Sequence, residues 1–257
     1  MTQLRERLLS WDACFNVRDV GGYGTRGGGF TRWRSLVRAD NLCRLTPAGR
    51  AAVVEYGVRT VIDLRAPFER RMDPCPFAPS GVESDAVAYL NLPVLDPDAA
   101  GRAVVTAMDA AATVEAMYVL LLERCREQLG AVIRAMAAAP DGGVLVYCHA
   151  GKDRTGLIAA LALAIAGVPK GTIAADYALS DGCLQPLYGA QLRQERDAGK
   201  RVAMERQLRS PRNAARAETM LATLGYLDER HGGVSGYLRW AGVAHEEMER
   251  LRARMGG

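Results

Sequence analysis

The chain has 257 residues, 49% of them hydrophobic, and a formal net charge of +4 from 33 Lys and Arg against 29 Asp and Glu. That length buries a full core, so one domain is expected over residues 1–257. No apolar run approaches the length of a membrane span. The segment Met1-Thr2-Gln3-Leu4-Arg5-Glu6-Arg7-Leu8-Leu9 is too charged for a secretory signal. The mild positive balance comes without a nucleic-acid motif or aromatic–basic interleaving, so no nucleic-acid partner is expected and a phosphorylated substrate suits it as well.

Cys14, Cys43, Cys75, Cys125, Cys148 and Cys183 show no close pairing. They read as reduced thiols of a cytoplasmic protein. No Cys/His set has zinc spacing, so neither metal nor cofactor is expected. His231 and His245 stand alone and read as structural or solvated.

In chain order, Thr46-Pro47 supplies an N-cap and a first-turn proline, with Gly57 as the stop. Val58 to Leu64 then reads as a strand ending near Asp63 and Arg65. Asp85 to Pro93 holds a further strand before the loop Asp96-Pro97-Asp98. Ala111 to Ala139 is helical, in two helices meeting near Gly130. Asp141-Gly142-Gly143 is a turn, and Val144 to Tyr147 is the central, buried strand. After Gly167, Pro169 to Leu179 forms the next helix. Gln191 to Arg216 is rich in arginine and lysine; it reads as a solvated helical face or as a basic flap over a phosphate site. Asn213 to Leu224 and Gly232 to Met255 are closing helices whose Leu and Met stripes face the core. Strands alternating with helices predict an α/β fold with a mostly parallel sheet, and ligands collect at the carboxyl ends of such strands.

The densest signal follows the central strand: Tyr147-Cys148-His149-Ala150-Gly151-Lys152-Asp153-Arg154-Thr155-Gly156. Strand, tight loop and helix N-terminus in that order aim backbone amides and a helix dipole at one point, where an anion binds. Cys148 places its sulfur there. Gly151 permits the close turn, and Thr155-Gly156 opens the helix. Cleavage of a phosphate monoester needs a nucleophile, neutralised charge and a proton for the leaving group. Cys148 is the candidate nucleophile, since a thiol near a helix N-terminus and cations ionises readily. Arg154 offers a planar fork for two phosphate oxygens. The amides from His149 to Arg154, with those of His149, Ala150, Gly151 and Lys152 as phosphate contacts, complete the cradle, and the Lys152 side chain either adds a cation for an acidic or multiply phosphorylated substrate or is simply solvated. Thr155 is placed to hydrogen-bond the departing thiolate, or simply to cap the helix.

Cys148 to Arg154 resembles the signature loop of cysteine-dependent phosphatases. The string Ala-Gly-Lys-Asp-Arg-Thr-Gly is similar to the atypical bacterial tyrosine and dual-specificity phosphatases, some of which also act on phosphoinositides. The likeness extends to Asn16-Val17-Arg18-Asp19-Val20-Gly21-Gly22-Tyr23, Arg38-Ala39-Asp40, Val61-Ile62-Asp63-Leu64-Arg65, Asp176-Tyr177-Ala178-Leu179-Ser180 and the helices from Tyr226 to Met255. The resemblance implies a cysteine-phosphatase-like sheet flanked by helices, a phosphocysteine intermediate, and Asp153 as the general acid; Asp63, Asp96 and Asp98 compete for that role. Asp63 and Arg65, at a strand end, are expected beside the phosphate. Some relatives carry a helical lid, which fits residues 185–217. The family usually has His before the cysteine, where this chain has Tyr147.

The substrate implied is phosphotyrosine, a phosphoinositide, or a small sugar or nucleotide phosphate; a basic flap favours an enclosed small substrate over a folded phosphoprotein. A phosphate-binding pseudophosphatase is the alternative, but intact Cys148, Asp153 and Arg154 argue against it. A sulfurtransferase also uses a loop cysteine after a strand, but its loop is usually shorter, and an arginine at this offset favours phosphate.

Overall fold

A computed structural model describes residues 6–79, 87–95 and 99–256. The sheet has five strands: β1 (Arg18–Asp19), β2 (Leu36–Ala39), β3 (Val58–Asp63), β4 (Ala88–Asn91) and β5 (Gly143–Tyr147). Their spatial order is β1-β2-β5-β3-β4, with β1 antiparallel to β2 and the other pairs parallel. β5 is central, as its unbroken apolar run predicts, and every one of its residues is buried. Side chains alternate along it. Val144 and Val146 join a core with helices on one face, while Leu145 and Tyr147 join Trp11, Leu42, Val53 and Phe77 on the other.

The helices are α1 (Pro47–Glu55), α2 (Pro67–Met72), α3 (Ala99–Ala110), α4 (Val114–Arg124), α5 (Arg126–Ala138), α6 (Asp153–Ile165), α7 (Lys170–Gln194), α8 (Ala198–Leu208), α9 (Ala217–His231), α10 (Val234–Trp240) and α11 (His245–Met255). α1 begins as expected: Thr46 caps it by accepting from the Gly49 amide at 3.2 Å, and Gly57 follows with φ of 96°. α6 is apolar nearly all round and buried from Thr155 to Leu163, so it runs through the core.

Two expected boundaries are corrected. The break in the 111–139 stretch falls at Cys125, where backbone φ/ψ leave the helical region; Gly130 lies inside α5. Gly130 is there for packing, because a Cβ would come within 2.3 Å of the Ala241 carbonyl oxygen. The helix expected to end at Leu179 continues to Gln194 with Pro186 inside it. The predicted strand over 85–93 is β4; its first positions and the Asp96-Pro97-Asp98 loop lie outside the described residues. His231 is structural: it stacks on Trp240 and meets Glu123 at 3.1 Å.

Beside β1 and β2 lies a buried ionic cluster built from the N-terminal and mid-chain motifs. Arg18 pairs with Asp176 at 2.9 Å and Arg38 with Asp176 at 2.6 Å, and Tyr23 donates to the same carboxylate at 2.9 Å. Burial alone would raise the Asp176 carboxyl. The two guanidiniums outweigh it and hold the group well below the usual range. Its contribution to stability is therefore present above the ordinary carboxylate pKa and lost as pH falls towards the depressed folded value. Asp176→Asn strands two buried guanidiniums, and a loss of about 3–5 kcal/mol is expected. Chemical denaturation of both proteins at neutral pH checks it.

Candidate active site

The loop after β5 is fixed from behind through its carbonyls. His149 O accepts from the Asn41 amide at 3.0 Å. Ala150 O accepts from Asn16 Nδ2 at 2.9 Å, and Gly151 O from Arg38 Nη2 at 2.9 Å. Lys152 O accepts from the Gly156 amide at 2.8 Å, the first turn of α6. There are no cis peptides among the described residues. In a trans peptide each carbonyl opposes the next amide. Four consecutive carbonyls drawn outward therefore turn the amides of Ala150, Gly151, Lys152 and Asp153 inward. Gly151 has φ of 65°, and a Cβ there would meet the Ala39 carbonyl oxygen at 2.4 Å, so both conformation and space require glycine.

Cys148 lies at the floor, 3% exposed. It lines a cavity of about 560 Å³ with His149, Ala150, Asp153, Arg154, Phe68, Glu69 and others. Thr155 is fully buried, and its Oγ1 has no hydrogen-bond partner among the described residues.

Arg154 is held end-on: Nη1 donates to Glu69 Oε2 at 2.6 Å and Nη2 to Oε1 at 2.8 Å. That pairing uses two of the five guanidinium donors and leaves the Nε edge for another anion. Burial disfavours the Glu69 carboxylate, but Arg154 overcomes this and lowers its pKa. Sequence reasoning missed Glu69. The available signal was Pro67 and Glu69 at the first and third positions of a helix directly after a strand. Glu69 caps that helix, its Oε2 accepting from the Ala66 amide at 2.9 Å.

Asp153 opens α6. Its Oδ1 accepts from the Tyr118 hydroxyl at 2.6 Å, which in turn meets the Tyr177 hydroxyl at 2.7 Å. Its Oδ2 lies 3.9 Å from Lys152 Nζ. Tyr118 was also missed, since nothing in its helical stripe distinguishes it from core. Burial, with Asp153 next in weight, pushes its phenol far up, so it stays a donor.

Three expectations change. Lys152 is neither solvated nor free in the mouth: it is 5% exposed and donates to Asn213 O at 2.7 Å and Oδ1 at 3.1 Å, in the 3-10 turn Pro211–Asn213. Asp63 and Arg65 stand at the end of β3 as expected but close on each other. Both are fully buried, with Arg65 Nη2 to Asp63 Oδ2 at 2.8 Å, and Tyr147 and Tyr89 donate to the same oxygen at 2.6 and 2.8 Å. They are props rather than phosphate ligands. Arg65 Nη1 reaches Asn41 Oδ1 at 3.2 Å, and the Asn41 amide holds His149 O. Asp63, sealed in this cluster, also loses its place as a competing proton donor. Tyr147 likewise spends its hydroxyl there and not at the loop.

A second cavity, about 690 Å³, adjoins the first and shares Phe68, Glu69, Asp153 and Arg154. Its other walls are mostly apolar: Leu95, Val105, Met108, Met117 and Leu121.

A mostly parallel sheet whose central strand feeds a loop with its carbonyls held, with a clamped arginine at the helix start, defines a protein of the phosphatase class. The chain belongs to the tyrosine phosphatase family, whose model matches residues 9–256. It is 34% identical to a tyrosine-protein phosphatase of Nostoc commune over 86% of this chain and 74% of that one. It is 28% identical to the triple specificity protein phosphatase PtpB of Mycobacterium tuberculosis over 97% of this chain and 98% of that one. No helix among the described residues is long and apolar enough to cross a membrane.

Proposed function

We propose that the protein hydrolyses phosphate monoesters through a phosphocysteine intermediate on Cys148. The observation that carries this reading is the set of four partnered carbonyls in the loop that follows Cys148, which supports a cradle of amides on the opposite side of the peptide planes. The Cys148 thiolate attacks phosphorus, an S–P bond forms, and the P–O bond to the leaving group breaks. Inward amides and the Nε edge of Arg154 take the charge on the equatorial oxygens. Asp153 gives its proton to the leaving oxygen from the carboxylate edge that Tyr118 does not occupy. Water then attacks phosphorus, its proton passing back to the Asp153 carboxylate, and the S–P bond breaks to release phosphate and the thiolate. The unpartnered Thr155 hydroxyl is the donor available to that thiolate. The apolar second cavity suits a phosphate ester with an aromatic or lipid body, phosphotyrosine or a phosphoinositide, better than a sugar or nucleotide phosphate.

Phosphate release from an aryl phosphate, then from a panel of phosphopeptides, phospholipids and phosphorylated metabolites, tests the reading. Activity is expected to survive a chelator and to be lost to alkylation of Cys148. Loss with the chelator, restored by a divalent ion, would count against a thiolate mechanism.

The acid role of Asp153 has its own signature. Asp153→Asn is expected to cost about a hundredfold in kcat/KM on alkyl phosphates and little on nitrophenyl phosphate, whose leaving group needs no proton. An equal loss on both esters would assign Asp153 to holding the loop through Tyr118.

A further inference from the structure

We propose that the mouth of this site docks on an anionic lipid bilayer, with the α2 rim entering the interface and the basic 191–216 segment lying against the headgroups. The rim is unusually apolar for a free surface. Phe68 is 52% exposed, Met72 80% and Val105 40%, and all three border the two joined cavities. Large apolar side chains grouped around one opening mark a surface that meets an apolar partner. Arg71, also exposed, stands between Phe68 and Met72 on α2.

A concentrated charge joins the wall of the apolar cavity at one end, through Arg212 and Asn213. Residues 191–216 hold eight arginines and lysines against three carboxylates, an excess larger than the net charge of the whole chain. All eight, Arg193, Arg196, Lys200, Arg201, Arg206, Arg209, Arg212 and Arg216, are exposed. α8, at the centre of the segment, has no buried residue, so core packing does not explain it. The segment springs from the same rim. Arg212 donates to the carbonyls of Met108 and Asp109 at 2.9 and 3.1 Å, and Met108 walls the apolar cavity. Asn213 receives Lys152 of the loop.

The charge selects the occupant. A second copy paired through this face would bring two excesses of the same sign together. A nucleic acid offers anions but no apolar bed for Phe68 and Met72. An anionic bilayer supplies both, and basic side chains with shallowly inserted apolar ones are how peripheral proteins hold it.

The test is co-sedimentation of the full chain with phosphatidylcholine vesicles, with and without phosphatidylglycerol. Neither lipid carries a phosphate monoester, so binding is independent of turnover. Partition onto the anionic vesicles is expected to be about a hundredfold stronger or more, and to fall with added salt. Lys200→Glu with Arg201→Glu should weaken it by roughly twentyfold and leave hydrolysis of a soluble aryl phosphate unchanged. Met72→Asp should weaken it as well. Equal partition onto both vesicles, no sedimentation, indifference to these variants, or self-association abolished by Met72→Asp would overturn the proposal. Vesicle binding without aryl phosphate turnover would leave docking standing and remove the phosphatase mechanism.

Discussion

Cys148→Ser is expected to lower aryl phosphate turnover by about four orders of magnitude or more, to the level that the cradle alone supplies. The serine oxygen occupies nearly the space of the sulfur, so the loop should keep its shape. The carbonyls of His149, Ala150, Gly151 and Lys152 have partners that do not involve residue 148. Binding of tungstate, read by calorimetry, should therefore remain within a few-fold of the parent. What disappears is the nucleophile, because a serine hydroxyl is essentially un-ionised at neutral pH. Turnover within tenfold of the parent would remove the covalent route. Loss of both turnover and tungstate binding would show that the sulfur is needed to form the cradle.

The second large effect is expected at Arg154. Lysine keeps the charge but has no fork. Arg154 uses both terminal nitrogens on Glu69, at 2.6 and 2.8 Å, and has its remaining edge to offer a phosphoryl group. A single ammonium on a flexible stem cannot serve both with fixed geometry. Arg154→Lys is expected to cost roughly 3–4 kcal/mol of transition-state stabilisation, a few hundredfold in kcat, with a smaller change in KM. Steady-state kinetics on one ester decides it. A change below about threefold would mean that Arg154 does not touch the transferring group.

β3, β4, β5 and the phosphate loop were legible because their signals are local, whereas β1 and β2 were not anticipated as strands. Val144 to Val146, Gly151 and Thr155-Gly156 each state a backbone requirement that neighbours in the chain satisfy. Thr46-Pro47 and Gly57 bounded α1 for the same reason. What stayed hidden depends on partners distant in sequence. Asp63 and Arg65 were placed correctly at a strand end, yet their burial follows from Tyr89 and Tyr147 converging on one carboxylate oxygen. The role of Lys152 depends on Asn213, 61 residues away. Gly130 looked like a helix break because glycine is a poor helix former; only the approach of Ala241 shows why it is tolerated inside α5. The segments around Asn16, Arg38 and Asp176 could be matched to relatives as text, but their work is done across 113 to 158 residues.

That distance has a consequence for protein engineering. The reactive loop is not a portable cassette. Grafting 148–156 onto another parallel sheet would carry the sulfur, the guanidinium and the peptide groups, but not Asn16, Arg38 and Asn41, which pull three of the carbonyls outward. Without them the peptide planes are free to rotate, and the amides have no reason to face a common centre. A working transplant would have to bring the first two strands and the Asp176 helix along with the loop.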